Sequence, residues 1–188
     1  EAEWMTSLVG DLLDLARLDS QRLALKQEPI QGDDTLLLLY ERMMHRAGHN
    51  LLIEQISDDA PIPPLGQGDP DRIQQCLTAL VDNALRYGAS EGFITLASST
   101  GTQGELILHV RDQGPGVPEH EKEMIFERFV RGSAATAGDS RGSGIGLAVV
   151  KLLMEAMGGR VTVRNAKVGG ADFQLHLAQI ATQPDDRD

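Results

Sequence analysis

The stretch Leu106-Ile107-Leu108-His109-Val110-Arg111-Asp112-Gln113-Gly114-Pro115-Gly116-Val117 carries the reading on which the rest depends. With the two-residue period of a strand, Leu106, Leu108, Val110 and Asp112 share one face. A carboxylate at the strand's C-terminal end therefore points the same way as three core aliphatics. Burying it is costly unless something donates hydrogen bonds to it. Gln113–Val117 then forms a tight turn in which two glycines permit close approach to the backbone. An Asp in such a place can simply cap its own turn. Its face assignment favours a second role, as a ligand-facing acid able to accept from an exocyclic amine.

Upstream, Asp69 and Pro70 mark the start of a helix running to about Tyr87, one as cap and the other at the first position. Ile73, Cys76, Leu77, Leu80, Val81, Ala84 and Leu85 form its apolar stripe. Asn83 falls on the margin of that stripe, in a column with Cys76, Ala79 and Tyr87. A half-buried amide there needs partners: it either caps a neighbouring loop or offers an oxygen to Mg2+, a cation that takes few protein ligands. Downstream, Arg141-Gly142-Ser143-Gly144-Ile145-Gly146-Leu147 opens an apolar helix expected from about Ser143 to Met157. Glycines at a helix start expose amides to an anion at the positive end of the dipole. A dinucleotide fingerprint would need glycine at Leu147 and a preceding strand, and no Gly-Lys-Ser/Thr exists for a P-loop.

The remaining pattern bounds the class. The chain has 188 residues, 41% of them hydrophobic and 24% charged, enough to build a packed core. A net charge of −11 argues against a nucleic-acid partner, which needs a basic face, but leaves room for one phosphorylated small ligand in a locally positive pocket. Cys76 has no internal disulfide partner. Leu23 and Leu25 suggest a strand ending at Pro29, residues 33–47 a helix, Leu51–Ile56 a strand and Asp58–Gln67 a loop. Strands are predicted at Phe93–Ser98, Glu105–Asp112, Arg160–Asn165 and Asp172–Ile180, and a short helix around Glu119–Phe129. Mixed without strict βαβ alternation, these elements predict an α+β fold. At the N-terminus, Met5, Leu8, Leu12 and Leu15 form a helical stripe running towards Glu1, the expected remnant of a truncated helical bundle.

The order of the motifs is specific: Asn83 on a helix, Asp112-x-Gly-x-Gly after a strand, then Gly142-x-Gly-x-Gly-Leu. It resembles the N, G1 and G2 boxes of two-component sensor histidine kinases, in the ATP-binding superfamily shared with gyrase and mismatch-repair ATPases. Ile125-Phe126-Glu127-Arg128-Phe129-Val130-Arg131 is similar to the F box, and Leu8–Asp19 to the second helix of the dimerisation domain. The resemblance implies a two-layer α/β sandwich of the Bergerat type, with helices on one face of a mixed sheet. It further implies ATP and Mg2+ as ligands. On that resemblance, Asp112 accepts from the adenine amine, Tyr87 packs near the base, and Gly114 and Gly116 shape the turn beside it. Asn83 holds Mg2+ with Arg86 nearby, and Gly142, Ser143, Gly144, Ile145, Gly146 and Leu147 wrap the triphosphate. Arg131 and Arg141 approach the γ-phosphate, while Phe126 and Phe129 anchor the lid.

Two departures qualify that picture. Ala79 stands four residues before Asn83, where the family often has a second asparagine and the superfamily's ATPases a glutamate that activates water. Efficient hydrolysis is therefore not expected, and Mg2+ binding could be weakened. The phosphoacceptor box is missing: only His120 precedes an acid, so His45, His49, His109, His120 and His176 are read as structural or solvent-exposed. The expected organisation is residues 1–21 from the dimerisation and phosphoacceptor domain, 22–182 as the catalytic domain and 183–188 as a loose tail. The expected partners are the protein's own phosphoacceptor hairpin, a response regulator and, in the full-length protein, a second copy. The expected location is the cytoplasmic part of a membrane-anchored kinase. A serine kinase of the same superfamily and a non-catalytic nucleotide-binding module are the alternatives.

Overall fold

The computed structural model describes residues 24–47, 50–54, 63–88, 92–133, 143–166 and 169–180, together with residue 10. Apart from Gly10, the expected N-terminal helix lies outside these, as does the tail. The described residues form, in chain order, β1 (Glu28–Ile30), α1 (Gly32–Ala47), β2 (Leu51–Ile53), β3 (Gly66–Gly68), α2 (Pro70–Tyr87), β4 (Ile94–Thr100), β5 (Leu106–Arg111), α3 (Gly146–Ala156), β6 (Arg160–Asn165) and β7 (Ala171–Leu177). The main sheet has the order β2-β4-β5-β7-β6. Its one parallel pair is β2 with β4, and the other neighbours run antiparallel. β1 and β3 form a separate antiparallel pair. The fold is thus α+β with a mixed five-stranded sheet.

Pattern explains which face is which. Leu96, Leu108, Val110, Phe173 and Leu175 point inward and are buried with Leu39, Leu77, Leu80, Val149 and Leu153 of the three helices. The other face is polar. There His109 lies between Ser99 and Asp172, with Nε2 2.8 Å from the Ser99 hydroxyl and Nδ1 3.1 Å from the carboxylate. Beside it His176 meets Arg160, Thr162 and Glu105. His109 and His176 are therefore structural, while His45 and His120 are exposed. His49 lies outside the described residues.

Several boundaries shift for local reasons. The strand expected to end at Pro29 is only Glu28–Ile30, because its partner β3 is three residues long. Part of the expected loop Asp58–Gln67 enters β3. The region 119–129 holds two 3-10 turns, Glu119–Glu121 and Met124–Phe126, in place of one helix. α3 begins at Gly146, since Gly144 at φ +67° cannot lie in a right-handed helix. Leu85, assigned to the core stripe, is 40% exposed, while Val81 and Ala84 beside it are buried, so the buried face of α2 is narrower here than the stripe. Among the described residues no helix is long and apolar enough to cross a membrane.

Candidate functional site

α2 is placed by its first turn. Asp69 accepts from the Asp71 and Arg72 amides at 3.1 and 3.3 Å, and Lys26 adds a third amide at 3.0 Å. Burial pushes the Asp69 carboxyl up, but those amide bonds outweigh it and leave its pKa below the usual value. At the other end, the Gly88 amide closes the helix on the Ala84 carbonyl at 2.8 Å. The last turns present Asn83 half-buried on the margin of the core face, with Arg86 6.0 Å from the Tyr87 ring centroid. Asp82, next to Asn83, pairs with Arg46 of α1 at 3.0 Å. Burial raises its pKa despite that partner.

Asp112 stands where the alternation places it, 7% exposed beside Leu106, Leu108 and Val110, each fully buried. Its Oδ1 accepts from the Gly114 amide at 2.8 Å and the Ala171 amide at 3.2 Å, and its own amide donates to the Ala171 carbonyl at 2.9 Å. The turn-capping role is therefore present. Among the described residues, both bonds to the carboxylate land on Oδ1. The turn lies directly against the end of α2: a Cβ at Gly114 would come within 2.6 Å of the Tyr87 carbonyl. Tyr87, Gly88, Asp112 and Gly114 thus form one cluster around the last turn of α2, and Asn83 lies a turn earlier on the same helix.

A second cluster joins the phenylalanine segment to the glycines before α3. The Phe129 amide donates to the Gly144 carbonyl at 2.9 Å, and a Cβ at Gly144 would meet the Phe129 carbonyl carbon and the Val130 oxygen at 2.9 Å. Phe126 packs edge-on to Phe173, with ring centroids 6.3 Å apart, and is buried. Phe129 differs: it is 68% exposed with φ +65°, and its link to Gly144 is through the backbone. Of the two phenylalanines, only Phe126 anchors by burial. Ser143 accepts from the Ile145 amide at 3.3 Å, Ile145 is buried, and Leu147 packs against the core. Arg131 is exposed. Arg141 and Gly142 lie outside the described residues.

Three contributions escaped the sequence reading. Gly170 holds φ +92°, and a Cβ there would overlap the Asp112 carbonyl oxygen at 1.9 Å, so the β6–β7 turn is seated against the Asp112 backbone. The dipeptide Gly169-Gly170 between two strands is a hairpin signal that could have revealed the turn, though not its target. Asn165 bonds Val117 in both directions, accepting from its amide at 2.8 Å and donating to its carbonyl at 2.9 Å. Glu121 accepts from the Ser133 amide at 2.9 Å, which with the Ser133 hydroxyl holds its carboxyl below the usual range.

Residues 68–180 match the family described as histidine kinase-, DNA gyrase B- and HSP90-like ATPase. The sensor protein DivL of Caulobacter vibrioides is 38% identical over 184 residues, and the sensor histidine kinase WalK of Bacillus subtilis is 31% identical over 190. These alignments cover 94% and 100% of the chain but only 22% and 31% of the relatives' lengths. Among solved structures, full-length ShkA in complex with AMPPNP matches with a TM-score of 0.75 at 31% identity, over 95% of this chain and 37% of that one. The histidine kinase AdeS of Acinetobacter baumannii matches with a TM-score of 0.71 at 25% identity, over 95% and 80%. The chain belongs to the histidine kinase-, DNA gyrase B- and HSP90-like ATPase family.

Proposed function

We propose that the chain binds ATP with the base against Asp112 and Tyr87 and the phosphates towards the amides before α3. It then transfers the γ-phosphate to a histidine of a dimerisation helix hairpin, for relay to a response regulator aspartate. The buried carboxylate of Asp112 carries this reading. Two backbone amides hold its Oδ1, which orients the group while leaving Oδ2 the natural acceptor for an exocyclic amine. The relatives' names support the kinase chemistry, and the neighbour bound to AMPPNP supports the nucleotide.

In this reading Asp112 selects the base and Tyr87 packs beside it. Gly144, Ile145, Gly146 and Leu147 bring backbone amides and a helix start to the phosphates. Arg86 and Arg131 supply positive charge. Among the described residues no group of three or more acidic, histidine or cysteine side chains is placed to hold a metal. Mg2+ takes one or two protein oxygens beside substrate phosphates, and Asn83 would be the side chain to hold it. When bound, Mg2+ neutralises phosphate charge during transfer. Ala79 packs on the core and has no group to activate water, so histidine, not water, is the expected nucleophile. The same Ala79 favours one second reading, a module that binds nucleotide without transferring phosphate. In the whole protein we place this domain on the cytoplasmic side of a membrane-anchored homodimer.

The test is incubation of the chain with labelled ATP, Mg2+ and a separately supplied acceptor hairpin. Acid-labile label on the hairpin is the expected result. ATP binding without transfer would favour the module, acid-stable label a serine kinase, and no binding at all would overturn the assignment.

A further inference from the structure

The loop from Asp112 to Val117 is held at both ends by one cross-strand pair of the β6–β7 hairpin. Asn165, the last residue of β6, pairs directly with Ala171, the first of β7. Ala171 exchanges hydrogen bonds with Asp112, its amide to Oδ1 and its carbonyl to the Asp112 amide. Asn165 holds the other end of the loop through Val117. The turn behind this pair is closed by the Ala166 amide on the Gly170 carbonyl at 3.0 Å. Between the two anchors, Gly116 at φ +75° lies so close to Asn165 that a Cβ would sit 2.9 Å from Oδ1.

We propose that Asn165 is a positioning residue for the base site: by clamping Val117 it sets the loop that orients Asp112 towards the exocyclic amine of adenine. The inference rests on the assignment of Asp112 as the base acceptor. An amide is the group this place requires. Val117 offers one donor and one acceptor, and Asn165 answers with one of each, so the orientation of its amide follows from the pairing. A carboxylate of the same shape would set oxygen against the Val117 carbonyl. Asn165 is exposed, and hydrogen bonds in such a place contribute little to global stability, so losing them frees the loop without unfolding the sheet.

Three forms of the 188-residue chain decide it: the parent, Asn165→Asp and Asn165→Ala. Each is titrated, with Mg2+ present, with ATP and with purine riboside triphosphate, which lacks the amine. The parent is expected to prefer ATP by roughly tenfold, the worth of one hydrogen bond to a charged acceptor. Both variants should lose most of that preference, through a weakening of ATP binding of about fivefold to tenfold, while the analogue binds nearly as before. Their unfolding midpoints should stay close to the parent's. Unchanged preference in the variants overturns the proposal, as does an equal loss for both nucleotides, which marks a general structural role. If the parent itself does not bind ATP, the assignment of the base site falls and the inference falls with it.

Discussion

At the proposed base end of the site, Asp112 is 7% exposed and its loop is bonded to residues 48 and 59 positions away in the chain. At the proposed phosphate end, Phe129 holds a positive φ, is 68% exposed and is joined to Gly144 through a backbone bond at 2.9 Å. One end is pre-organised by strand pairing. The other stores strain at a residue type that rarely adopts a left-handed conformation. On the proposed function the contrast suits two tasks: recognition of a rigid base needs fixed partners, whereas a triphosphate that arrives, reacts and leaves needs a surface that can rearrange.

The sharpest way to break this comparison is Gly170→Ala. A methyl group 1.9 Å from the Asp112 carbonyl oxygen, at φ +92°, has no room without moving the β7–β5 junction. We expect a loss of about 3 kcal/mol or more in denaturant unfolding; a loss below about 1 kcal/mol would show the base end to be far softer than drawn. Next is Asp112→Asn, which keeps the shape and the Oδ1 acceptor but removes the charge. ATP affinity should fall about tenfold to hundredfold by calorimetric titration. Unchanged affinity would remove Asp112 from the site.

The phosphate end should behave oppositely. Phe129→Gly removes a phenyl ring, yet the ring is mostly in water and glycine tolerates the conformation. The unfolding midpoint should hold steady or rise, by up to about 1 kcal/mol in stability. A clear loss of stability would mean that the ring is packed and the strain reading is wrong.

The smallest effect separates the site from the sheet's outer face. Burial, with Arg160 beside it, lowers the pKa of His176 below 6.5. The unfolded chain therefore takes up that proton first, so stability falls as pH drops through 6.5. Glu105 is pulled down to about 2 by the amides of its own backbone and Gln103, aided by Arg160 and His176. Its contribution is intact above 4.5 and fades only between there and about 2. Thermal unfolding followed from neutral to acid pH should show two stages, and His176→Gln should abolish the first alone. A single stage unaffected by that substitution would contradict this assignment.

Local pattern sufficed for much of this protein. The Asp69 cap and Pro70 located the start of α2 to the residue, Arg160–Asn165 was legible as a strand at both ends, and period-two alternation placed Asp112 on the buried face. Each of these rests on interactions within a few positions, or on a periodicity that one segment expresses by itself. Where the pattern was weak the reading slipped. Leu23 and Leu25 pointed to a strand whose three residues lie further on, and Leu85 sits at the exposed edge of a stripe whose other members are buried.

What the tertiary structure decided is which distant segments share a neighbourhood. Alternation tells a strand which side to bury but says nothing of its partner or register, so nothing in Arg160–Asn165 announces that Asn165 will meet Val117 or Gly170 the backbone of Asp112. The sequence determined the acid, the glycines and the helix that frame the site. The order β5-β7-β6 brought the β6–β7 hairpin behind them, because only the closed sheet sets Asn165 and Ala171 side by side at the ends of one loop.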